Sequence, residues 1–234
     1  MSYEKRFDGR KFDEFRPIEI EIGVLKNAKG SAMFKIGDTT AIAGVMGPKE
    51  LHPRFLRNSE KGTLRVFYDM MAFSVSDRVR PGPDRRDTEL SKVIAESLEP
   101  SLLLTEFKEA GIYLYVYILQ ANAGTRCAAV CASSLALAHA GIPMKDLVSS
   151  VAAGKVSDKV VLDLSKEEED HEEGATDMAV AMMPKNGRIT LITMDGEISE
   201  KEAVEAMEYA KKGCEKIYEL QKEALRKYLE GEEK

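Results

Sequence analysis

Between Gly111 and Leu135 the chain changes from strand to helix across five residues, Asn122-Ala123-Gly124-Thr125-Arg126. The run from Gly111 to Gln120 (GIYLYVYILQ) is apolar and rich in Tyr, Ile and Val, as a half-buried or buried strand requires. The run from Cys127 to Leu135 (CAAVCASSL) consists of small residues and reads as a helix. A strand feeding a glycine turn and then a helix leaves backbone N–H groups pointing out of the helix start. With the positive end of the helix dipole, these form a site for an oxyanion. Gly124 allows close approach of the backbone, Thr125 can add a hydroxyl donor, and Arg126 adds a planar two-pronged cation. A strand-to-helix turn with an N-capping Thr and a surface Arg would produce the same five letters, so the case for function rests on what else the chain supplies.

A second basic element precedes another helix. Asp84-Arg85-Arg86-Asp87 leads into Thr88–Leu98, where Leu90, Val93, Ile94 and Leu98 follow helical spacing, and Asp84 or Asp87 can cap its start. Pro81, Gly82 and Pro83 mark the loop before it. Two arginines oppose the dipole of a helix start. Asp84 and Asp87 can neutralise them, and a bound phosphate would turn the mismatch to use.

The third element is acidic. From Leu162 to Asp177 there are eight acidic residues (163, 167, 168, 169, 170, 172, 173 and 177) and one lysine, Lys166. Glu167, Glu168 and Glu169 read as a solvated run. Asp177 opens the alternating stretch Asp177–Met183, so it is expected at a strand start, held more rigidly than the loop. A rigid carboxylate near others suits a divalent cation or a raised pKa and general-acid work. Asp177 and Asp170 are the candidates for that role.

The 234 residues, 44% hydrophobic and 32% charged, suffice for a substantial core. No stretch is apolar enough for a membrane span, and the first residues, Met1 to Asp8, lack an apolar signal core, so a cytoplasmic location is expected. The three cysteines make no disulfide framework and read as small core residues. A net charge of −6 argues against nucleic-acid binding, yet Lys49–Arg86 carries nine Lys/Arg against five acids. His52, Arg54 and Arg57 cluster there in a polar loop, and Tyr68 follows it as a candidate to stack a base. Tyr113, Tyr115 and Tyr117 share a strand face and read as core or interface.

Along the chain, strands are expected at 18–24, 32–36, 39–46, 63–69, 111–120, 147–156, 159–164, 177–183 and 188–194. Helices are expected at 88–98, about 125–140 and 199–230, the last with a Ser199/Glu202 capping box. Gly37-Asp38 predicts a two-residue hairpin, and Asn186-Gly187 a type I′ turn. With neither linker nor repeat, residues 1–234 read as a single α+β domain of mixed sheets and packed helices, with a core at about 5–225.

In this order the three elements resemble the RNase PH family of phosphate-dependent 3′→5′ exoribonucleases, most nearly the catalytic RNase PH-like subunit of the archaeal exosome. Further pieces are Arg6-Phe7-Asp8-Gly9-Arg10 with Arg16-Pro17, Gly30-Ser31-Ala32 followed by Gly37–Ala43, Gly47-Pro48, and His52-Pro53-Arg54. The resemblance runs from about residue 5 to 225. It departs in one place: Asp170 and Asp177 are seven apart where the family has six, which suggests an insertion in the loop.

The resemblance implies inorganic phosphate as co-substrate, cradled by Arg86, Gly124, Thr125 and Arg126 and attacking the 3′-terminal phosphodiester of single-stranded RNA. Asp177 would protonate the leaving oxygen or hold Mg2+ (or Mn2+), with Asp170 sharing the metal. Arg85, Arg54, Arg57, His52 and Tyr68 would meet the RNA. It also implies a hexameric ring with a homologous non-catalytic subunit, RNA-binding cap subunits, and no membrane. Its rivals are a stand-alone RNase PH trimming transfer RNA ends and a non-catalytic RNA-binding ring subunit. A small-molecule phosphotransferase is disfavoured because no Gly-x-x-x-x-Gly-Lys-Ser/Thr motif is present.

Overall fold

The computed structural model describes residues 3, 5–76, 80, 82, 84–171 and 174–232. Expectations placed on Asp77, Arg78, Pro81, Pro83, Glu172 and Glu173 lie outside them. The first sheet contains β1 (Ile18–Ile22), β2 (Gly30–Ile36), β3 (Thr39–Glu50), β4 (Thr63–Met70) and β5 (Ala110–Gln120), in the order β1-β2-β3-β5-β4. Its pairings are antiparallel except β4 with β5, which run parallel and are connected through helix α1 (Arg85–Leu98). The second sheet is antiparallel, β7-β6-β8-β9, from β6 (Ser149–Val156), β7 (Lys159–Leu162), β8 (Ala175–Met183) and β9 (Arg188–Asp195).

Helix α2 (Thr125–His139) lies between the sheets, against β2, β3 and β5 on one side and β6 and β8 on the other. This position explains its composition. Every residue from Cys127 to Leu137 is buried, so no polar face is needed, and the Ala, Cys and Ser side chains let both sheets come close. A methyl group on Gly30 of β2 would stand 2.3 Å from the Ala140 nitrogen at the end of this helix. Helix α4 (Glu200–Glu232) covers β6, β7, β8 and β1. A single apolar cluster runs from Ala32 to Ile217 and includes Ile94, Leu114, Val130, Leu135, Val151 and Val180 from both sheets and the helices.

Most expected elements are present within a few residues of their bounds, and three details differ. The Asn186-Gly187 step does not form a type I′ turn. Met183 pairs with Arg188, so the connection has four residues, and Gly187 (φ 67°) is left-handed while Asn186 is not. Asp177 is the third residue of β8, inside the sheet, with Gly154 of β6 and Asp195 of β9 as neighbours. The acidic run is not all solvated: Lys166–Glu169 forms a one-turn helix, α3, with Glu168 buried and Glu169 half-buried.

Candidate active site

The glycine turn has the shape its sequence suggests. Ala123 (φ 59°) and Gly124 (φ 64°) are both left-handed, and Gly124 rather than Thr125 is the N-cap of α2. Among the described residues no side chain caps this helix start, which leaves its first amides available to a ligand. Thr125 is buried in the first turn. Arg126 follows, donating from Nη1 to Thr193 Oγ1 of β9, while its buried Nε has no partner among the described residues.

These groups open into a cavity of about 290 Å³. Arg86, Gly124, Thr125, Arg126 and Asp177 all line it, joined by Lys166 and Glu169 of α3. Arg86 arrives from the first turn of α1, where Asp84 is the N-cap in a reciprocal capping box with Asp87. The box satisfies the end of α1 and so holds Arg86 where a helix dipole alone would disfavour it.

Asp177 faces this cationic group from β8. Burial raises its carboxyl pKa, Arg126 opposes the rise, and Asp195 across the strand pair adds to it. Among the described residues its buried Oδ1 has no hydrogen-bond partner. Such an atom calls for a ligand, a proton or a cation. Glu169 is the second carboxyl of the cavity, pushed up to about 7, first by burial and then by the charge of Asp177. Two carboxyls that resist ionising together fit a cation bound by one or two carboxylates plus substrate phosphates, the usual manner for Mg2+. Among the described residues no group of three or more His, Cys, Asp or Glu side chains forms a protein-only metal cage.

The raised Glu169 pKa has a consequence for stability. The folded protein holds this proton more tightly than the unfolded chain, so stability should fall as pH rises from about 4.5 to about 7. Glu169→Gln should flatten that part of the curve, as read from urea midpoints at a series of pH values. An unchanged slope would show that Glu169 is not the group responsible.

The other sequence candidates are placed differently. Asp170 does not line the cavity; its carboxylate is exposed and pairs with Lys166 Nζ at 2.8 Å. Tyr68 is 3% exposed and packed in the core, so its ring has no free face to stack a base. Arg85 is exposed beside Arg86 but is not part of the cavity lining. His52, Arg54 and Arg57 lie in the loop after β3, also outside the lining. His52 and Arg54 are exposed, whereas Arg57 is half-buried and tied to Glu50 and to the Leu51 carbonyl (3.0 Å). Phe55, between Arg54 and Arg57, is 84% exposed.

What fixes α3 at the cavity is a set of buried ion pairs. Arg6 binds Glu168 with Nε and Nη2, both at 2.7 Å, and also donates to the Leu162 and Asp163 carbonyls. Arg16 grips both carboxylate oxygens of Asp163 (2.9 and 2.7 Å), and Arg10 reaches the same carboxylate. Glu168 is therefore no solvated residue. Arg6→Met should cost about 3–5 kcal/mol by leaving a buried carboxylate unpaired. In urea unfolding, Arg6→Met/Glu168→Gln should recover part of that loss. Wild-type stability in Arg6→Met would contradict the pairing.

Residues 14–143 match the 3′ exoribonuclease family, domain 1 (RNase PH), and residues 146–213 match domain 2 of the same family. The chain belongs to the RNase PH family. It is 52% identical over 226 residues to the exosome complex component Rrp41 of Thermococcus kodakarensis, covering 96% of this chain and 90% of that one. The exosome complex component Rrp41 of Methanopyrus kandleri is 48% identical over 227 residues, covering 97% and 94%. Among solved structures, the Archaeoglobus fulgidus exosome with RNA bound to the active site superposes with a TM-score of 0.80 at 25% identity, covering 92% of each chain. Rice Rrp46 shares the fold, with a TM-score of 0.81 at 24% identity, covering 93% and 98%.

Two cavity residues of this RNase PH chain, Lys166 and Glu169, escape a reading of its sequence. A Glu-rich run looks solvated letter by letter, and nothing local says which carboxyl turns inward. In the structure Glu169, one residue before Asp170, is the carboxyl that faces Asp177.

Proposed function

We propose that this chain is the phosphorolytic subunit of a cytoplasmic exosome ring, removing nucleotides one at a time from the 3′ end of single-stranded RNA. The observation that carries the reading is one cavity lined by an uncapped helix start, two arginines and a raised carboxyl. Orthophosphate sits on the amides of the α2 first turn with Arg126 and Arg86. Its oxygen attacks the 3′-terminal phosphodiester phosphorus in line. The bond from that phosphorus to the penultimate 3′ oxygen breaks, the oxygen takes a proton, and a nucleoside diphosphate departs.

The main obstacle is the repulsion between two anions, and the arginines remove it by holding both in place at once. The buried Asp177 carboxyl holds the proton at the leaving oxygen. In the alternative to that proton, Asp177 and Glu169 would hold Mg2+ as carboxylates, and the ion would neutralise charge developing on the phosphate and leaving oxygens. Asp170 contributes only by steadying Lys166.

A ring of this chain with a homologous non-catalytic subunit and RNA-binding caps fits the Rrp41 relatives, which are exosome components. It also fits the composition, since one small basic loop on an acidic chain needs help to retain RNA. Residues 1–234 act as one folding unit in this reading, because the core draws on both family segments. Among the described residues no helix is long and apolar enough to cross a membrane.

Phosphorolysis exchanges one phosphoester for another and so lies near equilibrium. Withdrawing phosphate and supplying nucleoside diphosphates should therefore make the ring extend RNA 3′ ends. A ring that shortens RNA and cannot extend it would be a hydrolase, and the proposal would fail. On the RNA side, Arg54→Glu should weaken capture and reduce its salt dependence by about one unit of log–log slope, leaving the phosphate dependence of turnover unchanged. Filter binding across a salt series measures this, and an unaltered slope would remove Arg54 from the RNA path.

A further inference from the structure

Asn122 directly precedes the phosphate turn and does not line the cavity. Its backbone is pinned from below. The N–H donates to Thr39 Oγ1 at 2.9 Å, and the carbonyl accepts from Arg16 Nη1. The buried Thr39 hydroxyl in turn donates to the Ala123 carbonyl at 2.7 Å, so the phosphate turn has a rigid floor. The side chain of Asn122 reaches the other way. Its Oδ1 accepts the backbone N–H of Lys166, the first residue of α3, at 3.1 Å.

That N–H belongs to the first turn of a helix and has no partner within it. A single turn is also too short to be stable by itself, because nucleation costs more than its few hydrogen bonds return. Helix α3 is therefore held in place by outside ties: Glu168 to Arg6 at one side and Lys166 N–H to Asn122 at the other. The first tie is deep in the protein. The second is at the surface and connects α3 directly to the phosphate turn.

We propose that Asn122 is a positioning residue, whose side chain sets Lys166 and Glu169 of α3 at their working distance from the phosphate turn. The inference rests on the reading of the cavity as the phosphorolytic site. Because the tie is exposed, water can replace it with little loss of stability, yet the carboxyl on α3 would lose its register with Asp177. A misplacement of about 1 Å is enough to cost on the order of a hundredfold in rate.

The test uses the assembled ring, single-stranded RNA and orthophosphate, with kcat and the KM for phosphate measured separately. Asn122→Ala should leave the thermal midpoint near wild type, lower kcat roughly ten- to a hundredfold, and change the KM for phosphate less than about threefold. Asn122→Asp keeps an acceptor at the same place and should restore kcat, while its charge raises the KM for phosphate. Lys166→Pro removes the donor itself. Ser165 is extended (φ −87°, ψ 167°), as a residue before proline should be, and the first helical position accepts proline.

Lys166→Pro should lose more kcat than Lys166→Ala, and adding Asn122→Ala to Lys166→Pro should lose nothing further. Wild-type kcat in Asn122→Ala, independent losses in the double variant, or an Asn122→Asp kcat no better than Asn122→Ala would each overturn the proposal. A wild-type ring that releases no nucleoside diphosphate would instead take down the reading of the cavity, and this inference with it.

Discussion

Asp177→Asn should reduce phosphorolysis by at least about 10³-fold while leaving the protein as stable as wild type or slightly more so. The two effects have one cause. The Asp177 carboxyl is buried inside β8, with Oδ1 unpartnered and Asp195 across the strand pair, so its pKa is raised by burial against the pull of Arg126. Holding that group in place costs folding energy, and the proposed mechanism accounts for it by the need for a proton or a cation at the leaving oxygen. An asparagine fills the same space, carries no charge, and has neither a transferable proton nor comparable metal affinity. RNA affinity should be equal or slightly higher, because a negative charge beside the phosphates is gone. Turnover assays, equilibrium unfolding and RNA binding on the same preparation separate these outcomes. Near-normal turnover would remove Asp177 from the mechanism, whereas a large loss of stability would make it a structural residue.

Arg126→Ala is the second large effect. In the proposed mechanism the guanidinium supplies about two charge-assisted hydrogen bonds to phosphate at roughly 1.5–3 kcal/mol each, so a loss on the order of 10²–10⁴ in kcat/KM for phosphate is expected. RNA binding without phosphate should change much less. Arg126→Lys should recover only part of the activity, since a point charge cannot reproduce the planar fork that also donates to Thr193. Saturation behaviour identical to wild type in both variants would show that phosphate binds elsewhere.

The parts of this site that were legible in the sequence are those whose chemistry is set by local geometry. Gly124 between a strand and a small-residue helix has few conformations open to it, and the structure has Ala123 and Gly124 both left-handed, with α2 starting at Thr125. Asp84 and Asp87 around two arginines likewise specify a capped helix. The parts that were not legible depend on contacts far apart in the chain. Glu168 looks like any surface glutamate until Arg6, 162 residues away, closes on it. Glu169 and Asp170 are adjacent acids, and which of them faces the cavity is decided by how α3 is anchored.

Tyr68 shows the same limit from the opposite side. An aromatic residue after a basic loop suggests stacking, but the strand alternation that turns its ring into the core is settled by the parallel pairing of β4 with β5. Phe55, which does stand free between Arg54 and Arg57, carries no periodic signal to mark it.

The most direct test follows the fate of orthophosphate. The assembled ring, given unlabelled single-stranded RNA and ³²P-orthophosphate, should transfer the label to the β-phosphate of the released nucleoside diphosphates, and Arg126→Ala and Asp177→Asn rings should not. Release of nucleoside monophosphates with the label still in orthophosphate would contradict the account.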